Sequence, residues 1–199
     1  MLRLRPCLAL LLLVLPLPAA AQSIVWTIDS DHSAATFSVR HMLVANVKGE
    51  FDGPAGTVTY DPKHIAETLK VDATIKAATI KTRNADRDAD LKSANFFDVA
   101  KFPVLTFKSK RAVAGPAGHY LVTGDLTMHG VTQEVVLDVE GPTPEVKDLW
   151  KQQRVGATMT TVLSRRAFGL RYNELLEAGG AVVGDEIRVS IELEIFHKE

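Results

Sequence analysis

Ile187-Arg188-Val189-Ser190-Ile191-Glu192-Leu193-Glu194-Ile195 alternates apolar and polar residues without a break. Successive side chains of a β-strand point to opposite faces, so this stretch lays one apolar face on a core and one polar face in water. Lys70-Val71-Asp72-Ala73-Thr74-Ile75-Lys76-Ala77 repeats the pattern, Ala35, Phe37 and Val39 share a face, and so do Val155, Ala157 and Met159. Such alternation belongs to antiparallel sheet rather than to the doubly covered parallel sheet of an α/β fold. Strands are expected near 24–28, 33–41, 46–52, 56–60, 69–79, 103–112, 118–128, 131–140, 154–164 and 186–197, the first leading into the second.

Turn chemistry agrees. Gly53-Pro54-Ala55-Gly56 and Gly115-Pro116-Ala117-Gly118 are the same tetrapeptide, and each reads as a tight reversal between two strands. Their flanks differ, so the repeat is shared turn chemistry rather than duplication. His129-Gly130 reads as a hairpin tip, and Gly141-Pro142-Thr143-Pro144 ends a strand ahead of a looser segment to Gln153. No linker divides the chain, so one domain is expected. Strands of ten or more residues would leave long open edges, which closure into a barrel removes. The strands leave a choice between a sandwich and a barrel, and closure favours an all-β, eight-stranded antiparallel barrel. Its inward faces mix sizes: Ala35, Phe37 and Val39; Gly49 and Phe51; Val71, Ala73 and Ile75; Leu105 and Phe107; Ala157 and Met159. That mixture leaves both a ligand cavity and a filled core open.

One segment departs from the pattern. Asp86, Arg87, Asp88, Asp90 and Lys92 lead into Asn95-Phe96-Phe97-Asp98 and then Phe102-Pro103. A polar helical turn ending in aromatics is out of place among strands, and such departures mark functional elements. We expect a lid over the barrel, its charged half in water and its phenylalanines beneath. Of Phe96 and Phe97, one is expected to pack inward and the other to cover an entrance.

Met1 to Arg5 is a basic head, Cys7 to Leu15 an apolar run too short to span a bilayer, and Ala19-Ala20-Ala21 a small-residue end. Residues 1–21 therefore read as a cleaved signal peptide, residues 22–199 as the mature domain, and the periplasm as its compartment. Loss of Arg3 and Arg5 takes the formal charge from −1 to −3. Loss of Cys7, the single cysteine, leaves no disulfide or thiol chemistry. About 178 residues suffice for one core. No basic stripe points to nucleic acid, and no later apolar run is long enough for a membrane span.

Catalytic signals are weak. The chain has no HExxH and no Gly-x-Ser-x-Gly, and Gly179 to Gly184 lacks the dinucleotide-binding spacing. Asp29, Asp31, His32 and Ser33 are neighbours, but adjacent strand residues face opposite ways. A His32/His41 metal site would need a third ligand from elsewhere, such as His129 or an Asp. Arg165, Arg166 and Arg171 form either a solvated strand end or a ring of charge at a barrel mouth. No catalytic residue, metal or cofactor is assigned, and the expected protein is not an enzyme.

Several segments carry a family resemblance. They are Trp26-Thr27-Ile28-Asp29 with Asp31-His32-Ser33 and Phe37-Ser38-Val39-Arg40-His41, then Gly49-Glu50-Phe51 and Asn84 through Phe102-Pro103. Gly124-Asp125-Leu126-Thr127-Met128-His129-Gly130-Val131-Thr132 and Ser164-Arg165-Arg166-Ala167-Phe168-Gly169-Leu170 follow in order. Over about 170 residues the chain resembles the YceI family of secreted, lipocalin-like isoprenoid-binding proteins. The resemblance implies an extended eight-stranded antiparallel lipocalin-like β-barrel with short covering helices, whose apolar interior holds a polyisoprenoid, such as a quinone or prenyl-phosphate tail, or another long-chain lipid. By alternation, Phe37, Val39, Phe51, Ile75, Leu105, Phe107 and Met159 are the candidate tunnel wall, with Phe96 and Phe97 at its lip. Two other readings stand beside this carrier: a metal-assisted enzyme on a lipid or quinone, and a filled barrel acting through its surface. A homodimer is left open.

Overall fold

The structure is a computed structural model that describes residues 22–116, 118–172 and 182–198. The expected signal peptide, residues 1–21, and the first half of the glycine-rich stretch, 179–181, lie outside the described residues. The alternating segments form strands β1 (Ile24–Ile28), β2 (Ala34–His41), β3 (Ala45–Asp52), β4 (Ala55–Tyr60), β5 (Lys70–Lys76) and β6 (Val104–Ala114). They continue as β7 (His119–Met128), β8 (Val131–Glu140), β9 (Val146–Lys147), β10 (Gln153–Ser164) and β11 (Val183–His197). Two short helices, α1 (Ile65–Thr68) and α2 (Ala85–Lys92), accompany them. The two-residue β9 falls in the segment read as loose.

These strands make a closed antiparallel barrel of eight staves. β10 runs along one edge of β11 in twelve continuous pairs, from Gln153↔His197 to Ser164↔Glu186. The other edge of β11 takes β1 at Phe196 and Ile195, and β2 from Val183 to Glu192. β1 and β2 are thus two halves of one stave. β4 pairs with β1 and β3 with β2, so β3 and β4 form the next. β5, β6, β7 and β8 follow in order. β8 returns to β10 through only Glu140↔Thr158, Val139↔Met159 and Asp138↔Thr160.

Gly53-Pro54 is therefore not the expected reversal. It is a kink within one stave, because β3 and β4 pair with the two halves of their neighbour rather than with each other. The kink lies against the Asp29–Ser33 break in the adjoining stave. A Cβ on Gly53 would strike the carbonyl oxygens of Ser30 and Ser33, and the Ser30 hydroxyl donates to Pro54 O at 3.0 Å. Ser33, buried, repairs the interrupted ladder. Its Oγ accepts from Glu194 N at 3.0 Å and donates to Glu194 O at 3.4 Å. The other tetrapeptide does join two paired strands, β6 and β7. His129 (φ 53°) and Gly130 (φ 73°) form the two-residue tip between β7 and β8.

α2 begins where Asn84 Oδ1 accepts from Arg87 N at 2.9 Å, with Asp86 and Asp88 in the first turn and Lys92 in the last. Its charges do more than face water. Asp88 Oδ1 accepts from Thr82 N and Oγ1 at 2.8 and 2.5 Å. The Arg87 guanidinium donates to Thr82 Oγ1 and O at 2.7 and 2.6 Å, which ties the helix to a buried threonine. No helix among the described residues is long and apolar enough to cross a membrane.

Ser33→Ala should leave Glu194 N without its partner, while Glu194 O keeps Asp29 N at 2.9 Å, and cost about 1–3 kcal/mol. Urea unfolding checks this as a lower midpoint with an unchanged slope.

Candidate functional site: the barrel lumen

The inward face of every stave is apolar, yet the side chains do not fill the interior. A cavity of about 270 Å³ remains. Close-packed interiors hold few voids larger than a water molecule, so this barrel is hollow rather than filled. Phe37 and Val39 of β2, Phe51 of β3, Ile75 of β5, Leu105 and Phe107 of β6, and Met159 of β10 all line it. Sequence reasoning left out Leu126 and Met128 of β7, Leu137 and Val139 of β8, and the apolar face of β11 from Ile187 to Ile195. The same period-two signal marks each of them.

Two glycines keep the lumen open. A Cβ on Gly49 would overlap the Phe37 ring from the facing strand, and one on Gly124 would lie 2.5 Å from Phe107 Cζ. Each phenylalanine lies against bare backbone as a wall panel instead of reaching across the barrel. Glycine inside a strand marks this kind of close approach.

Trp26 packs one end of the barrel. It is fully buried, stacks on Tyr60 at 5.8 Å and meets the His197 ring edge-on at 4.4 Å. Ile28, Val58, Val155 and Ile195 complete this cluster. Burial, with the charge of Glu145, pushes the Tyr60 phenol up to about 12, so it stays neutral. Elsewhere Leu91 of α2, Ile80, Phe96 and Phe97 line the cavity. Both adjacent rings contribute, contrary to the expected division of labour. The chain after α2 leaves the helix: Phe97 N bonds Leu91 O and Phe96 N bonds Ser93 O. Phe96 thereby reaches the Tyr172 ring at 5.1 Å, and Phe97 meets Phe51 edge-on at 5.7 Å.

Arg165 belongs neither to a solvated strand end nor to a charged ring. Its guanidinium, 3% exposed, donates to the carbonyl oxygens of Gly184 (2.9 Å), Leu170 (2.5 Å), Tyr172 (2.9 Å) and Val183 (3.1 Å). Burial, aided by Arg166, lowers its pKa. It clamps the segment after β10 to the start of β11 beside the cavity wall. Arg166 and Arg171 are exposed. The local sequence hides this, because two of the four acceptors lie across the fold.

The histidines do not converge. His32 precedes β2 and His41 ends it, so the strand separates them; His129 meets the Phe102 ring edge-on at 4.8 Å and Phe168 O at 3.3 Å. The expected option of a His32/His41/His129 metal site is therefore not met. Ligand atoms of Asp29, His32 and Glu194 do lie within 4.8 Å of one another. Arg154 already serves as the cation there, its Nη1 bonded to Asp29 (2.6 Å) and to Glu194, and its Nε to Asp148 (2.7 Å). Burial alone would raise the Asp29 pKa. The bonds from Arg154, His32 and Asp31 N outweigh it and hold the carboxyl at about 2.

The YceI-like domain family model matches residues 26–195. A UPF0312 protein of Staphylococcus aureus is 34% identical over 163 residues, which are 82% of this chain and 92% of that relative. A YCEI protein of Campylobacter jejuni superposes with a TM-score of 0.66 at 31% identity, over 80% of this chain and 90% of the other. A domain from Saccharophagus degradans, described as polyisoprenoid binding and implicated in plant cell wall breakdown, shares the fold. Its TM-score is 0.59 at 17% identity, over 85% of this chain and 97% of its own.

Gly124→Ala should push Phe107 into the lumen, cost about 1–3 kcal/mol and reduce uptake of a small apolar fluorophore such as 1-aminoanthracene. Unchanged uptake would contradict the wall-panel account. For Asp29→Asn, the depressed carboxyl sets the sign. Its stabilisation is complete above the ordinary carboxylate range near pH 4 and disappears as pH falls through about 2. Native and variant unfolding curves should differ at pH 6 and converge as pH falls below about 2.

Proposed function

The chain belongs to the YceI-like domain family, and on that premise we propose that it is a binding protein for a long apolar chain. Its ligand is a polyisoprenoid, such as an isoprenoid quinone or a prenyl phosphate, or another long-chain lipid. The observation that carries this reading is the hollow apolar lumen of about 270 Å³, bounded by side chains from every stave. Strand pairing engages the wall's backbone along most of its ladders, and the lining is dominated by apolar side chains. Each buried methylene contributes about 0.8 kcal/mol, so ten contribute roughly 8 kcal/mol before the cost of ordering the tail. No proton transfer or cofactor enters such binding. The polyisoprenoid-binding description of the Saccharophagus degradans domain supports the same ligand class.

The nine residues picked out by alternation are the proposed contacts. Phe37, Val39, Phe51, Ile75, Leu105, Phe107 and Met159 surround the tail, and Phe96 and Phe97 cover it from the segment after α2. A signal peptide over residues 1–21 and a periplasmic role in transport, storage or sequestration complete the proposal. An apolar ligand crossing an aqueous compartment needs this shielding.

Phe51→Arg places a charge in the lumen, and Ala73→Phe fills it from another stave. Added polyprenol should raise the Tm of the native chain by several degrees through linkage and leave at least one folded variant unshifted. Equal shifts in all three chains would refute lumen binding.

A further inference from the structure

The tip of the β2–β3 hairpin is built against the usual rules for a tight turn. Val44 N donates to His41 O at 3.0 Å, and the two central residues, Met42 and Leu43, have φ of 49° and 60°. A turn whose two central residues both have positive φ favours Asn-Gly there, because positive φ strains residues with bulky side chains. Here the strained positions hold Met and Leu, and both are exposed, at 44% and 63%, with Val44 beside them at 79%. Neither folding nor solubility accounts for three apolar side chains in water on a strained turn, and an outlier of this sort points to function.

The turn is held firmly. Arg40 Nη2 donates to Leu43 O at 2.9 Å, and Met42 N donates to Val182 O at 2.8 Å. The tip also adjoins the lumen: Val39 lines the cavity on β2, and Val183, paired with His41, lines it on β11. On the outer face of these strands the residues nearest the tip include Arg40, Lys48 and Arg188, with Lys48 and Arg188 both aligned on Ser38. Glu186 of β11 and Glu50 of β3 share this face, and Glu50 is the one farther from the tip. Asp185 is engaged by Ser164 and Arg166. An exposed apolar point backed by cations on the outer face of its strands matches the layering of a membrane surface, with hydrocarbon inside and anionic phosphate outside.

We propose that the Met42-Leu43-Val44 tip docks on the surface of an anionic lipid bilayer, bringing the adjoining end of the lumen to the membrane where a lipid enters or leaves. This rests on the lipid-holding reading for its purpose, though the docking itself can be measured apart from it. Arg40, Lys48 and Arg188 contact phosphate groups while the three apolar side chains enter the acyl boundary. The strain in the turn is the cost of keeping them there.

The test is co-sedimentation of the full protein with vesicles of phosphatidylcholine alone or mixed with phosphatidylglycerol. The native chain should sediment with the mixed vesicles and be released by salt. Met42→Asn/Leu43→Gly, which relieves the turn, should bind roughly tenfold more weakly while its Tm stays the same or rises. Lys48→Glu/Arg188→Glu should lose the preference for phosphatidylglycerol. Native-like sedimentation of the Asn-Gly variant, or none by the native chain, overturns the proposal. So does a variant that changes only a dimer to a monomer in light scattering, which would make the tip a contact between two copies. Sedimentation without polyprenol uptake would keep the tip and sink the lipid-holding reading. Uptake without sedimentation would do the reverse.

Discussion

β11 is paired on both edges along most of its length, and the rest of the barrel is arranged around that fact. Twelve pairs bind it to β10, while its opposite edge is too long for one partner and takes β1 and β2 end to end. The strand after each of those must follow the same division, so β3 and β4 also run end to end. The two breaks meet at Gly53, where no side chain fits, and Ser33 supplies the hydrogen bonds that the backbone omits there. Without that repair a buried peptide group on β11 would lack a partner, which is costly in a wall that separates water from hydrocarbon.

Closure creates an interior but does not decide whether it is empty. That depends on where the large side chains go. Phe37 over Gly49 and Phe107 over Gly124 keep two aromatic rings flat against the wall. Trp26 and Tyr60 form a tight aromatic stack at one end. The same residue types therefore serve as packing at one place and as lining at another, according to whether a glycine faces them.

Much of this was legible in the sequence, because a period of two is local. Ile187 to Ile195 alternates in the sequence, and its apolar members all line the lumen. Every expected stretch of strand appears within a few residues. What local patterns could not show was partnership. Gly53-Pro54 has the chemistry of a reversal, but its kink depends on strands brought alongside it. Arg165 reads as one of three surface arginines, yet two of its acceptors lie at Val183 and Gly184. Phe96 and Phe97 read as neighbours on one helical turn, whereas the backbone bonds after α2 redirect them both to the cavity. The hollow interior was an open alternative until the glycines could be paired with the rings above them.

Wall, panels and apolar lumen together describe a protein whose interior is finished only when something apolar occupies it. The most direct measurement is native mass spectrometry of the protein isolated from its own cells without detergent, followed by organic extraction. The account predicts a complex heavier than the chain by one long-chain lipid, with that lipid recovered in the extract. Repeated recovery of the bare chain with an empty extract would contradict it.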